Sequence, residues 1–104
     1  MIKKLKIGYF ADGPWSYNAF EKIVNDERFD IRFIIPRNDT KDETLLNFSI
    51  KYNIEYFKLD NVNSETSLNK ILSYDCDVLV SMSFNQIFRK EIINLTPIGI
   101  INCH

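Results

Sequence analysis

Apolar and polar positions change period several times along this chain, and each change marks an element. Leu5 to Ala11 is a nearly unbroken run of apolar residues and strand formers, broken by Asp12-Gly13-Pro14. Pro14 suits the first turn of a helix, where its missing N–H costs little. Phe20, Ile23 and Val24 then show the i, i+3, i+4 spacing of one buried helical face. Ile31 to Ile35 is a second short apolar run, ended by Pro36, and residues 37–42 are a polar loop. Leu45, Phe48 and Tyr52, with Leu46 and Ile50 beside them, repeat the helical spacing. A third strand is predicted over Ile54 to Leu59, and a third helix over Ser64 to Tyr74 with Leu68, Ile71 and Leu72 facing inward. Val78 to Ser81 predicts a fourth strand. Phe88, Ile92 and Leu95 predict a short fourth helix ended by Thr96-Pro97, and Ile98 to Asn102 a fifth strand.

Strands alternating with helices of about ten residues imply crossover connections and a parallel sheet. Strands covered on both faces should read as continuous apolar runs. Phe33-Ile34-Ile35 and Val78-Leu79-Val80 do so. The expected fold class is α/β: a Rossmann-like three-layer sandwich with a mostly parallel sheet of about five strands. Ligands of such sheets bind beyond the carboxyl ends of the strands, where strand order reverses. The loops at that edge are Asp12 to Ser16, Met82 to Ile87 and whatever follows Asn102. A fifth strand ending two residues before the last residue leaves its outer edge unpaired, so the sheet is expected to be incomplete at its C-terminal edge.

Composition narrows the field of functions. The chain has 104 residues, 45% hydrophobic and 26% charged, with a formal net charge of -1; this fits one globular domain, residues 1–104. The charge balance gives no electrostatic case for nucleic acid. No stretch has the length and apolarity of a signal peptide or a membrane span. Cys76 and Cys103 are predicted in buried strands, which favours a reduced, cytoplasmic setting. With one His, and two Cys 27 residues apart by number, there is no metal-ligand spacing.

Three segments could carry chemistry. In Asn102-Cys103-His104, strand alternation points Asn102 and His104 one way and Cys103 the other. An Asn amide can donate to a developing oxyanion and a His can move protons. The alternative is a strand-capping Asn beside a His without function. A Cys–His nucleophilic pair is disfavoured by the same alternation. Around Gly13-Pro14-Trp15-Ser16, a helix N-terminus favours anions, but the segment has a single Gly and no phosphate-loop pattern. Trp15 could stack on a heterocycle or cover the sheet edge. Ser83-Phe84-Asn85-Gln86-Ile87-Phe88, after strand four, offers the apolar walls and main-chain donors that a heterocycle such as a pterin needs, or it is an ordinary loop.

Together, Phe10-Ala11-Asp12-Gly13-Pro14-Trp15-Ser16, Leu79-Val80-Ser81-Met82-Ser83-Phe84-Asn85-Gln86-Ile87-Phe88 and Gly99-Ile100-Ile101-Asn102-Cys103-His104 resemble the formyltransferases that use N10-formyltetrahydrofolate. The likeness covers the whole chain and matches the first part of that family's catalytic domain. It implies that Asn102 stabilises the tetrahedral oxyanion and that His104 assists it and the proton transfers. It also implies that Phe84, Asn85, Gln86, Ile87 and Phe88 form the cosubstrate-binding loop, and that Gly13, Trp15 and Ser16 lie near the acceptor. The Phe-Ala-Asp-Gly-Pro-Trp-Ser turn looks most like the sugar N-formyltransferases, which act on nucleotide-linked amino sugars.

The sequence also departs from the family. The Ser-Leu-Leu-Pro type stretch that normally follows Asn-x-His, and a catalytic Asp further on, lie beyond His104. A truncated, inactive fragment is therefore the expectation, with the oligomeric state open. The alternatives are a fragment of a methionyl-tRNA or other formyltransferase, and a non-catalytic Rossmann-like module that binds a nucleotide or a partner.

Overall fold

In the computed structural model, which describes residues 3–103, the elements follow in the order β1 (Leu5–Ala11), α1 (Pro14–Val24), β2 (Phe29–Ile35), α2 (Thr44–Tyr52), β3 (Glu55–Tyr56), α3 (Glu65–Leu72), β4 (Val78–Met82), α4 (Lys90–Ile93) and β5 (Ile100–Cys103). The five strands form one sheet in the order β3-β2-β1-β4-β5, and every pairing is parallel. A parallel sheet needs both faces covered, and two apolar clusters provide this. Ile7, Tyr9 and Ala11 of β1 pack with Phe20 of α1 and Leu45 of α2. On the opposite face, Phe10, Phe33 and Leu79 pack with Ile71 of α3 and Ile92 of α4. The result is a three-layer α/β sandwich with β1 at its centre.

Two features of β1 and β2 set the sheet's register. The pairing slips between Ile7 and Gly8: Ile7 lies beside Ile31, but Gly8 lies beside Phe33. Arg32 is the extra residue of this bulge; it is exposed and pairs with Asp30 at 3.1 Å. The slip keeps a charged side chain out of the core and turns Phe33 inward. Gly8 makes room for that ring, since a Cβ on Gly8 would stand 2.3 Å from Phe33 Cζ and 2.8 Å from Leu79 Cδ2. Phe33 continues the packing to Phe10 (5.5 Å between centroids, edge-on) and Tyr74 (4.7 Å).

Several elements differ from their sequence-based bounds. The third strand, expected over Ile54 to Leu59, pairs only at Glu55–Tyr56. Beyond it Phe57 packs against Phe33 and Tyr74, and the chain leaves the sheet to meet the loop after β4. The third helix starts one residue later than expected because Ser64 is its N-cap, its hydroxyl accepting from Ser67 N at 3.1 Å. Leu72, expected inward, is 53% exposed at that helix's last turn, and Ile50 on α2 is 72% exposed. The fourth helix is four residues long. Phe88 is drawn out of its spacing to pack on Phe10 and Phe84, and Arg89 N donates to Asn63 Oδ1 at 2.8 Å. The fifth strand starts at Ile100 rather than Ile98. Thr96 Oγ1 donates to Gly99 O and accepts from Gly99 N, closing a turn in which Gly99 takes φ 92°. Cys76, expected in a strand, is buried in the connection just before β4, while Cys103 lies in β5 and is half-buried.

Two outcomes follow. Gly8→Ala should destabilise the fold by about 1–3 kcal/mol through overpacking. Phe33→Leu in the same chain should recover part of that loss, read as a positive coupling in urea-denaturation midpoints. Burial pushes the Cys76 thiol up to about 11, so little of it is thiolate at pH 8, and the thiolate is the reactive form. Native iodoacetamide labelling followed by mass spectrometry should place the first alkyl group on Cys103. Cys76 should react only after unfolding; equal native rates would contradict the burial.

Candidate functional site

Strand order reverses between β1 and β4, and the carboxyl edge at such a reversal is where sheets of this kind bind ligands. Beside it, above the ends of β4 and β5, lies a cavity of about 480 Å³. Phe84, Phe88, Ile93 and Ile100 form its apolar walls, Ser81 and Asn102 bring polar atoms to it, and Ser83, Gln86 and Ile87 complete the lining. A second concavity of about 450 Å³ lies at the amino ends of β2 and β3, among Asp30, Arg32 and Glu55. Its position away from the carboxyl edge makes the first cavity the candidate site.

The aromatic wall grows out of the core. Phe84 and Phe88 stack nearly parallel, 5.6 Å apart, and Phe10 meets both edge-on at 5.5 and 5.1 Å. Ile87 is almost fully exposed at the rim. The main-chain N–H groups of residues 84–88 make no hydrogen bond to another described residue, and unpaired main-chain donors beside an apolar wall suit a flat heterocycle with acceptors on its edge.

Gln86 lines the cavity, and its amide also braces the loop. Its Oε1 accepts from Val62 N and its Nε2 donates to Leu59 O, both at 2.8 Å, so both ends of the amide are engaged. Asn85 is exposed, and its Nδ2 donates to Asn38 Oδ1 at 3.3 Å. Asn63 Nδ2 donates to Ile87 O at 2.6 Å.

Asn102 stands beside Ser81 in the β4–β5 register, on the cavity's face of the sheet, and is exposed. Cys103 pairs with Met82 and packs on the opposite face. His104 lies outside the described residues. The structure thus joins Asn102 to Phe84, Gln86, Ile87 and Phe88 around one cavity. It does not bring Gly13, Trp15 and Ser16 there. Gly13, at φ 88°, caps α1; Ser16 is buried, its hydroxyl donating to Gly13 O at 2.7 Å; Trp15 is 70% exposed on the first turn of α1.

Asp12 and Arg37, expected only as loop residues, are tied to the edge by hydrogen bonds. Asp12 is buried at the end of β1, and its carboxylate accepts from Gly13 N (2.9 Å), Tyr17 Oη (3.0 Å) and Arg37 N (3.3 Å). Burial, and then the hydrogen bond to Asp12, raise the Tyr17 phenol's pKa well above its ordinary value, so Tyr17 stays a neutral donor. The exposed Arg37 donates from Nε to Ser83 O at 2.7 Å. An Asp at a strand end before Gly-Pro is a visible cue for the first; nothing local in the sequence marks the second. Among the described residues, no group of three or more His, Cys, Asp or Glu could hold a metal ion, and no helix is long and apolar enough to cross a membrane.

No family model matches the chain. It is similar to the methionyl-tRNA formyltransferase of Trichormus variabilis, 21% identical over 109 residues, covering 96% of this chain and 33% of that protein. The methionyl-tRNA formyltransferase of Methylacidiphilum infernorum is 23% identical over 108 residues (96% and 34%), and that of Clostridioides difficile 25% over 108 residues (96% and 35%). The chain spans about a third of the length of these relatives, and its resemblance is to formyltransferases along nearly all of its own.

Gln86→Glu keeps the acceptor for Val62 N but sets a carboxylate against Leu59 O. It should cost about 1–3 kcal/mol near neutral pH. Relative to the wild type at the same pH, the loss should shrink as pH falls toward about 4 and be largely gone below it, because the carboxylate set against a carbonyl takes up a proton more readily in the folded than in the unfolded chain and then regains a donor. Denaturation midpoints of both proteins against pH check this.

Proposed function

From the kinship with formyltransferases we propose that this chain carries the cosubstrate-binding and oxyanion-stabilising part of an enzyme that moves a formyl group from N10-formyltetrahydrofolate to an amine. The observation that carries the proposal is the placement of Asn102 at the rim of the Phe84–Phe88 cavity. The pterin would lie against the aromatic wall, with its edge on the free main-chain N–H groups of the loop. The formyl carbonyl would then stand near Asn102. As the amine attacks the formyl carbon, negative charge grows on that oxygen, and a fixed amide donor there lowers the barrier. His104, two positions further along the sequence, would share that face if strand alternation continues to it, and would relay the amine's proton. The site we read needs no metal ion.

For the acceptor, a nucleotide-linked amino sugar is the reading we favour. A tRNA acceptor calls for basic surface, whereas the formal net charge of this chain is -1. The names of the relatives favour the second reading, methionyl-tRNA. In either case the chain would form the first part of a catalytic domain and work in the cytoplasm, where formyl donors of this type serve biosynthesis.

Calorimetry with 5-formyltetrahydrofolate tests the cosubstrate reading, and turnover of the full-length protein on an amino-sugar nucleotide against methionyl-tRNA tests the acceptor. Asn102→Ala should lower kcat by about 10²–10³-fold, the usual loss of one oxyanion donor, with little change in 5-formyltetrahydrofolate affinity. Phe84→Ala should weaken that affinity instead. An Asn102→Ala protein with unchanged kcat would remove the residue from the mechanism.

A further inference from the structure

We propose that Arg37 is a positioning residue of the candidate cavity: its Nε–H holds the carbonyl of Ser83 and so fixes the turn from which Phe84 and Phe88 project. The proposal rests on reading that cavity as the cosubstrate site. Ser83 is the first residue after β4 and has φ 55°, a left-handed conformation that a non-glycine residue adopts only when its surroundings impose it. Without that turn the chain would continue along the strand direction. With it, Phe84 swings under Phe10 and stacks on Phe88. A donor fixed on the Ser83 carbonyl favours this orientation of the peptide over the extended one.

Arg37 is itself held. It follows Pro36 at the end of β2, and its main-chain N–H donates to Asp12 Oδ2 at 3.3 Å. One residue therefore ties three neighbouring strand ends: β2 by its place in the chain, β1 through Asp12, and β4 through the 2.7 Å bond to Ser83 O. The next residues extend the tie, as Asn38 accepts from Asn85 Nδ2. Gln86 and Asn63 hold the far half of the loop against the segment after β3. The near half, where the backbone is strained, depends on Arg37.

The test separates a donor from a charge. In Arg37→Gln the amide nitrogen stands as many bonds from Cα as the Arg Nε, so the donor remains and the charge is lost. Arg37→Met has similar length and no donor. In the ligand-free, full-length protein, ¹⁵N relaxation should give rigid amides at Phe84 and Asn85, with order parameters near about 0.85 for the wild type and Arg37→Gln and below about 0.6 for Arg37→Met. Affinity for 5-formyltetrahydrofolate should fall about tenfold in Arg37→Met, the size of one charge-assisted hydrogen bond, and less than about threefold in Arg37→Gln. Arg37 is exposed, so thermal midpoints should be unchanged.

Equal losses of affinity in both variants, with rigid loops, would mean that Arg37 meets the ligand by charge, which overturns the proposal. Unchanged order parameters in Arg37→Met overturn it as well. A wild-type protein that binds no 5-formyltetrahydrofolate would remove the cosubstrate reading instead, and the relaxation data alone would then decide whether Arg37 holds the loop.

Discussion

Phe10 is where core and site meet. It is fully buried near the end of the central strand, and its ring touches Phe33 on one side and Phe84 and Phe88 on the other, all edge-on. Edge-to-face contacts are directional and add to the area each ring buries. The position of Phe10 is in turn fixed from below, because bare Gly8 lets the Phe33 ring lie across β1 and the bulge at Arg32 turns that ring inward. A shift of Phe33 would pass through Phe10 to the cavity wall. Close-packed interiors transmit such shifts instead of absorbing them.

The carboxyl edge is ordered by polar contacts more than by apolar burial. Asp12 gathers Gly13 N, Tyr17 Oη and Arg37 N; Arg37 reaches Ser83; Gln86 bridges to residues 59 and 62; Asn63 reaches Ile87. Among the described residues no buried side-chain nitrogen or oxygen lacks a partner, as expected where water is excluded and an unpaired group would be costly. Loops held at both ends can present aromatic side chains without rearranging when a ligand arrives, which removes part of the ordering cost of binding. In the function we propose, that preorganisation serves a cosubstrate whose formyl group must meet Asn102 within a fraction of an ångström.

The same edge separates two parts of the resemblance. Asn102 and the 84–88 loop share a cavity, but Trp15 stands on the outer surface of α1 and Ser16 is sealed beneath Gly13. If the turn at Gly13 serves the acceptor, Trp15 and the exposed backbone around it are the groups available for contact.

Sequence alone determined the α/β alternation, the Phe33–Ile35 and Val78–Val80 runs as strands covered on both faces, and the opposite facing of Asn102 and Cys103. Period and chemistry are local properties, and strand alternation carries them along each strand to the carboxyl edge. Element ends were less legible. The third strand shortened because Gln86 draws residues 59–62 over the sheet, and the fourth helix shortened because Phe88 joined an aromatic cluster 78 positions from Phe10 in numbering. Leu72 and Ile50 follow the helical spacing yet face solvent, since spacing marks a stripe but neighbouring elements decide how wide a stripe they cover. The roles of Gln86 and Arg37 were decided only by tertiary structure. Each is a polar side chain in a loop, ordinary in sequence, and its hydrogen-bond partner is set by which strand ends the fold brings side by side.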